Sequence, residues 1–199
     1  MTILIILAHP NETSFNHAIA DRAHKTLSAN GHTVIFHDLY KEKFEPALPG
    51  EEIQRDVTLP EEIARHCSEA AEADGIIVVH PNWWGMPPAL LTGWVDRVMR
   101  PGLAYEFVEG DDGEGVPVGL LKAKKAMVFN TSNTYEEREN RVFGDPLERI
   151  WRDCVFDLCG VKETTRKVFR VIVTSTQEER EAWLHEVEQS ITTLFPTEP

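Results

Sequence analysis

Two periods of hydrophobic patterning alternate along this chain: short unbroken apolar runs, and longer stretches with a helical repeat. Ile3 to Ala8 is a continuous run rich in branched side chains, the pattern of a strand covered on both faces. Ser14 can cap a helix reaching about Asn30, with Phe15, Ile19, Ala23 and Leu27 at helical spacing and Asn30-Gly31 as its stop. His32 to Asp38 reads as a second strand, followed by a polar connection marked by Pro46, Pro49, Gly50 and Pro60. A helix is expected over Glu61 to Ala73, a fully buried strand over Gly75 to His80, and a helix over Ala89 to Met99 behind Pro87-Pro88. Residues 109–115, acidic and glycine-rich, read as a solvated excursion in preference to the mobile edge of a site. Lys125 to Thr131 is the fourth strand. Gly144 to Gly160 reads as one helix with Leu147, Ile150, Trp151, Cys154, Val155 and Leu158 on its apolar face. Arg166 to Val173 and Gln177 to Leu194 supply a fifth strand and a final amphipathic helix.

Strands that alternate with helices require crossovers, and crossovers build a parallel sheet with helices on both faces. Sheets of this kind bind ligands beyond the carboxyl ends of their strands, where the strand order reverses. The loops after strands one, three and four therefore carry the interest. One domain over residues 1–199 is expected from the length, and 42% hydrophobic content suffices for a core.

Charge narrows the partners. Lys and Arg number 20 against 33 Asp and Glu, a net charge of −13 that repels nucleic-acid phosphates and anionic lipid. The apolar N-terminus lacks a basic flank and no run approaches the ~20 residues of a membrane span, so a cytoplasmic protein without membrane insertion is expected. Cys67, Cys154 and Cys159 have neither disulfide nor zinc spacing and read as buried free thiols; no metal is expected. Asp96 and Arg97 read as surface or interface ion pairs, and Trp94, Val95 and Val98 as core or interface.

The first of the three loops, residues 9–16, has no Gly-x-Gly-x-x-Gly and no P-loop pattern. It sets Thr13, Ser14 and Asn16 at a helix start, where hydroxyls, an amide and free N–H groups suit a phosphate; helix capping alone is the plainer reading. His9 reads equally as ligand contact or packed loop residue. After strand three come Pro81-Asn82-Trp83-Trp84-Gly85. Neighbours on an extended backbone point opposite ways, so one tryptophan is expected to pack inward and the other to face a planar ligand, which Gly85 lets the backbone approach. The alternative is a tryptophan cluster closing the sheet end. After strand four, Thr131, Ser132, Asn133, Thr134 and Tyr135 form a polar rim.

In Ala8-His9-Pro10, Thr13-Ser14-Phe15-Asn16, Asp38-Leu39-Tyr40, residues 81–87 (PNWWGMP), residues 90–98 (LLTGWVDRV) and Cys159-Gly160, the chain resembles the NAD(P)H:quinone oxidoreductase (DT-diaphorase-like) family of flavodoxin-like proteins, which includes flavoprotein ancillary subunits of potassium-efflux systems. The resemblance implies a flavodoxin-like three-layer sandwich, its five-stranded parallel sheet ordered 2-1-3-4-5. It implies a homodimer with a flavin that NAD(P)H reduces and a quinone-type acceptor reoxidises by ping-pong hydride transfer. By motif position His9, Thr13, Ser14, Phe15 and Asn16 would hold the phosphate arm. Pro81, Asn82, Trp83, Trp84, Gly85 and Thr131 through Thr134 would hold the ring, and Tyr105 and Phe107 would line the acceptor pocket. Tyr135 is the counterpart of a catalytic tyrosine, whereas the family's nearby histidine is replaced by Arg141-Val142-Phe143. That departure leaves open a regulatory role as a flavin-binding ancillary subunit with a peripheral transporter partner. The short connection from Tyr40 to Pro60 favours FMN over FAD.

Overall fold

Every expected strand joins one parallel sheet: β1 (Thr2–Leu7), β2 (Thr33–Asp38), β3 (Gly75–Pro81), β4 (Lys125–Ser132) and β5 (Glu163–Arg170), in the order β2-β1-β3-β4-β5. This architecture comes from a computed structural model that describes residues 1–108, 115 and 117–197. The acidic segment at 109–115 thus lies, apart from Gly115, outside the described residues. The main helices are α1 (Phe15–Ala29), α2 (Glu61–Glu72), α3 (Ala89–Val98), α4 (an α-helical turn at Pro146–Arg149 continuing as π-helix over Ile150–Asp157) and α5 (Gln177–Leu194), with a shorter helical segment over Glu136–Phe143.

Alternation along β1 explains the three layers. Ile3, Ile5 and Leu7 pack with Ile19, Ala23 and Leu27 of α1 and Val187 and Ile191 of α5. Leu4, Ile6 and Ala8 belong to the opposite core with Ile63 and Cys67 of α2, Leu91 and Trp94 of α3, and Trp151 of α4. All these strand side chains are fully buried, and full burial of one Ile or Leu stabilises by roughly 1.5–3 kcal/mol. Trp94 and Val98 are therefore core. Helix starts follow the sequence signals: Ser14 caps α1, and Thr176 with Glu179 forms a reciprocal capping box on α5.

Three expectations are corrected. The last strand occupies Glu163–Arg170 instead of 166–173 because it pairs in register from Lys125↔Glu163 to Ser132↔Arg170, and Ile172–Thr174 turns away as 3-10 helix. The 144–160 helix begins only at Pro146, since Gly144 and Asp145 are left-handed (φ 72° and 44°). Its i→i+5 coil buries Trp151, Val155 and Phe156 and turns Cys154 outward, so that thiol is exposed. Arg97 is no surface group: it is buried against Glu52 at 2.5 Å, leaving Asp96 exposed.

The sheet ends converge where the strand order reverses, between β1 and β3. Ala8 N–H donates to the Val79 carbonyl at 3.0 Å, and Pro81 lies level with Thr131. Loops 9–16, 82–88 and 133–135 therefore leave the sheet on one edge. A short hairpin, Tyr105–Glu106 with Val118–Gly119, stands apart and packs backbone to backbone on the end of α4, where a Cβ on Gly119 would lie 2.1 Å from Gly160 N.

Candidate functional site

The β1–α1 loop is folded by its own side chains. Asn11 Oδ1 accepts from Thr13 N–H at 2.9 Å and from the Thr13 hydroxyl at 2.8 Å, an Asx turn that delivers the chain into α1. Ser14 Oγ accepts from His17 N–H at 3.4 Å and lies 3.0 Å from His17 Nδ1, while His17 Nε2 lies 3.0 Å from Asp38 Oδ2 at the end of β2. Asn16, 2% exposed, donates from Nδ2 to Thr131 Oγ1 at 2.9 Å, and its Oδ1 is buried without a partner. Partial burial, with His17 close by, lowers the pKa of His9.

The tryptophan loop departs from the expected alternation. Trp83 and Met86 exchange backbone hydrogen bonds at 3.2 and 3.0 Å, enclosing Trp84 and Gly85 with φ of 60° and 75°. Positive φ at both central residues is the two-residue hairpin geometry that favours glycine, so Trp84 is held in a conformation that bulky side chains rarely adopt. Neither indole packs inward: Trp83 is 39% exposed, its ring tilted against that of His9 at 5.9 Å, and Trp84 is 96% exposed. The extended-strand rule failed because the strand ends at Pro81. Asn82 holds the turn, its Oδ1 accepting from Gly85 N–H at 2.9 Å, its Nδ2 donating to Glu139 Oε1 at 3.1 Å and its N–H donating to the Thr131 carbonyl at 2.7 Å.

A buried polar chain ties the ends of β3 and β4, from which the tryptophan loop and the loop after β4 leave. His80 Nδ1–H donates to the Pro81 carbonyl at 2.8 Å, and Nε2 accepts from Trp151 Nε1–H at 2.8 Å and Asn130 Nδ2 at 2.9 Å. The indole can only donate, which fixes this tautomer. Burial holds the His80 pKa down to about 3. Asn130 Oδ1 in turn accepts from Arg166 Nε at 2.6 Å, and Arg166 is paired with Asp145 at 2.7 Å.

A cleft of about 350 Å³ opens between the three loops, lined by His9, Thr13, Ser14, Phe15, Asn16, Pro81, Asn82, Trp83, Thr131, Ser132, Asn133 and Thr134. Ile172 and Arg180 complete it. Arg180 escaped the sequence reading because it sits in the acidic first turn of α5; a lone base there was the available signal. Trp84 and Gly85 line an adjoining cavity of about 510 Å³ with Glu139, Phe143 and Pro146, and Asn82 and Thr134 border both spaces. Tyr135 lies in neither: 72% exposed, it lines a neighbouring groove with Arg138 and Val142. Tyr105 and Phe107 line neither cavity and pack against one another on the hairpin at 5.9 Å. Hydroxyls, amides and Arg180 at one end, and aromatic faces at the other, suit an anionic arm joined to a flat ring.

The sequence pattern of the flavodoxin-like fold matches residues 1–193. A Haemophilus influenzae protein named as an uncharacterised NAD(P)H oxidoreductase is 37% identical over 174 residues, 85% of this chain and 83% of that one. The human ribosyldihydronicotinamide dehydrogenase [quinone] is 27% identical over 220 residues, covering 99% of this chain and 93% of its own. Among solved structures, an NAD(P)H:quinone oxidoreductase from Methanothermobacter marburgensis superimposes with a TM-score of 0.81 at 26% identity, covering 98% of this chain and 96% of that one. With the switch-point cleft, the three loops and these relatives in agreement, the chain belongs to the flavodoxin-like fold family, in its NAD(P)H:quinone oxidoreductase branch of oxidoreductase enzymes.

Proposed function

We propose that the protein is a flavin-dependent NAD(P)H oxidoreductase that reduces quinones or similar small electrophiles, with FMN as its cofactor and a homodimer as its working form. The observation that carries this reading is the cleft at the switch point, with the unpartnered Asn16 Oδ1 buried in its wall and Arg180 at its edge. A buried acceptor without a donor costs about 1–3 kcal/mol, and a ligand hydroxyl of a flavin side chain relieves it. Bound there, the flavin supplies hydride acceptance from NAD(P)H and hydride donation to the acceptor.

This chain's residues do the rest. The N-terminus of α1, Thr13, Ser14 and Arg180 hold the phosphate, with His9 and Phe15 beside them. Pro81 through Gly85 and Thr131 through Thr134 hold the ring. The Asn82–Glu139 and His80–Asn130–Arg166 bonds keep these backbones from relaxing, which is the preorganisation that electrostatic catalysis requires. Donor and acceptor then enter in turn beside Trp84 and Phe143, the basis for a ping-pong sequence. Tyr135, which lies outside both cavities in one copy, is assigned proton donation from its motif position alone, and in the region of the family's histidine stands Arg141, paired with Glu137 at 2.7 Å.

Trp84, Met86, Val142 and Phe143 are all exposed around the cavity mouth. A second copy covers such a rim and brings Tyr105 and Phe107, remote from the cleft in one copy, to the acceptor pocket.

The test is the absorption spectrum of the purified or FMN-reconstituted protein, with mass identification of what heat releases. A flavin spectrum with FMN released is expected. A protein colourless after excess FMN and FAD would overturn the reading. Retained flavin without turnover of NAD(P)H and quinone would favour the ancillary-subunit role instead.

A further inference from the structure

We propose that His17 is a positioning residue that couples binding of the cofactor's phosphate to uptake of one proton, through the chain Asp38–His17–Ser14. This rests on the assignment of the cleft to a phosphate-bearing flavin, and it concerns a histidine that no part of that assignment uses.

Ser14 Oγ has one proton and lies 3.0 Å from His17 Nδ1, while His17 Nε2 lies 3.0 Å from Asp38 Oδ2. Asp38 Oδ1 receives the N–H groups of Tyr40 and Lys41, both at 3.2 Å, which leaves Oδ2 of the carboxylate to accept from His17. A carboxylate accepts only, so His17 Nε2 carries a proton in every state. In the neutral ring Nδ1 is then bare and takes the Ser14 hydroxyl proton. Ser14 Oγ, which already accepts from His17 N–H, is left with nothing to give a phosphate. With a second proton on the ring, Nδ1–H donates to Ser14 Oγ, and the hydroxyl proton turns into the cleft that Ser14 lines.

Charge points the same way. Asp38 is 7% exposed and lies 3.0 Å from His17, whose other ring nitrogen faces Ser14 of the cleft wall. With neutral His17 it is an uncompensated like charge toward a phosphate dianion; with imidazolium the pair is neutral. Charged and titratable groups near His17 include Asp38 from the end of β2, at 3.0 Å, and His9 from the β1 loop, 6.4 Å away ring to ring; Arg180 of α5 lines the same cleft as Ser14. His9 has its pKa lowered by partial burial, whereas His17 Nε2 has the Asp38 carboxylate at 3.0 Å.

The proton balance is simple: FMN as the dianion plus one proton from solvent binds to the apoprotein, and the proton resides on His17 Nδ1. No bond to phosphorus changes.

Calorimetric titration of the apoprotein with FMN at a pH above the second phosphate pKa of about 6, in buffers of different ionisation enthalpy, counts the protons. The wild-type protein is expected to take up close to one proton, riboflavin close to none. His17→Gln should abolish the uptake and make FMN affinity flat with pH, while His9→Gln should retain the uptake. No uptake by the wild type, or equal uptake by His17→Gln, would overturn the proposal. Should neither FMN nor riboflavin bind, the flavin assignment fails by itself, and the same titrations with inorganic phosphate then decide the coupling: uptake lost in His17→Gln sustains it, and uptake absent in the wild type or unchanged in that variant overturns it.

Discussion

Trp84 concentrates the conflict between folding and function at one residue. Its side chain touches little, and its φ of 60° is one that glycine adopts without cost. Trp84→Gly is therefore expected to leave the denaturant midpoint unchanged or raised. The same change should lower acceptor kcat/KM about tenfold, equivalent to about 1.4 kcal/mol, as one aromatic contact is lost. Steady-state kinetics beside an unfolding curve checks both halves. Gly85→Ala should act oppositely: at φ 75° its Cβ would meet Pro146 Cγ at 2.8 Å, so stability falls by about 1–2 kcal/mol. At this scale the sequence was legible in residue type but not in conformation. Two adjacent tryptophans announced a ligand site, yet which way each faced depended on the turn that Asn82 and Gly85 impose. The orphaned amide oxygen of Asn16 depends on Thr131, 115 positions away, and no local pattern displays it.

Among the elements, the β-strands were readable because each buried run bears its own signature, whereas α4 was not. Its apolar positions fit a 3.6-residue repeat well enough to suggest a plain helix, and the π-coil substituted Phe156 for Cys154 in the core. One consequence is that Trp151 reaches His80 in β3. His80→Ala strands the Trp151 N–H and one Asn130 donor in a dry core and should cost about 2–4 kcal/mol in unfolding free energy, read from the denaturant midpoint. Histidines also set the pH response. Burial, with His37 adding to it, holds His66 down to about 4, and burial holds His80 to about 3, from an ordinary 6.5. A histidine with a lowered pKa stabilises the fold above pH 6.5 and loses that contribution as pH falls through the window down to its folded value, because the unfolded chain binds the proton first. His37 has the opposite sign. Burial alone would lower its pKa, but hydrogen bonds to Glu42 and Glu69 raise it overall, so its stabilisation is full below 6.5 and fades as pH rises through the raised value. His9, also lowered, adds to His66 and His80, three groups outweigh one on the acid side, and thermal midpoints measured from pH 7 to pH 4 should fall steadily. The cluster of His37, Glu42 and His66 holds protons in this arrangement: Trp94 Nε1–H donates to His66 Nδ1 at 3.1 Å, so His66 Nε2 bears the ring's proton and offers no lone pair to a metal.

Over the whole molecule, a net charge of −13 opposes the approach of an anionic nicotinamide nucleotide. Raising salt toward 0.1 M, where the screening length is about 10 Å, should lower KM for NADPH more than for NADH, which carries one phosphate fewer; initial rates across a salt series check it. A parallel sheet with helices on both faces could be read from alternation alone, because crossover geometry leaves few topologies, whereas the strand order, and with it the switch point, came with the family resemblance. The second copy and the acceptor's identity could not be read from alternation, since both depend on surfaces that only another molecule completes. The account's central claim is hydride flow through a flavin in this cleft, and anaerobic titration of the FMN-loaded protein with NADH or NADPH tests it most directly. Bleaching of the flavin by one equivalent of nucleotide, and full return of colour on one equivalent of quinone, is the predicted result. A flavin that stays oxidised with both nucleotides in excess would contradict it.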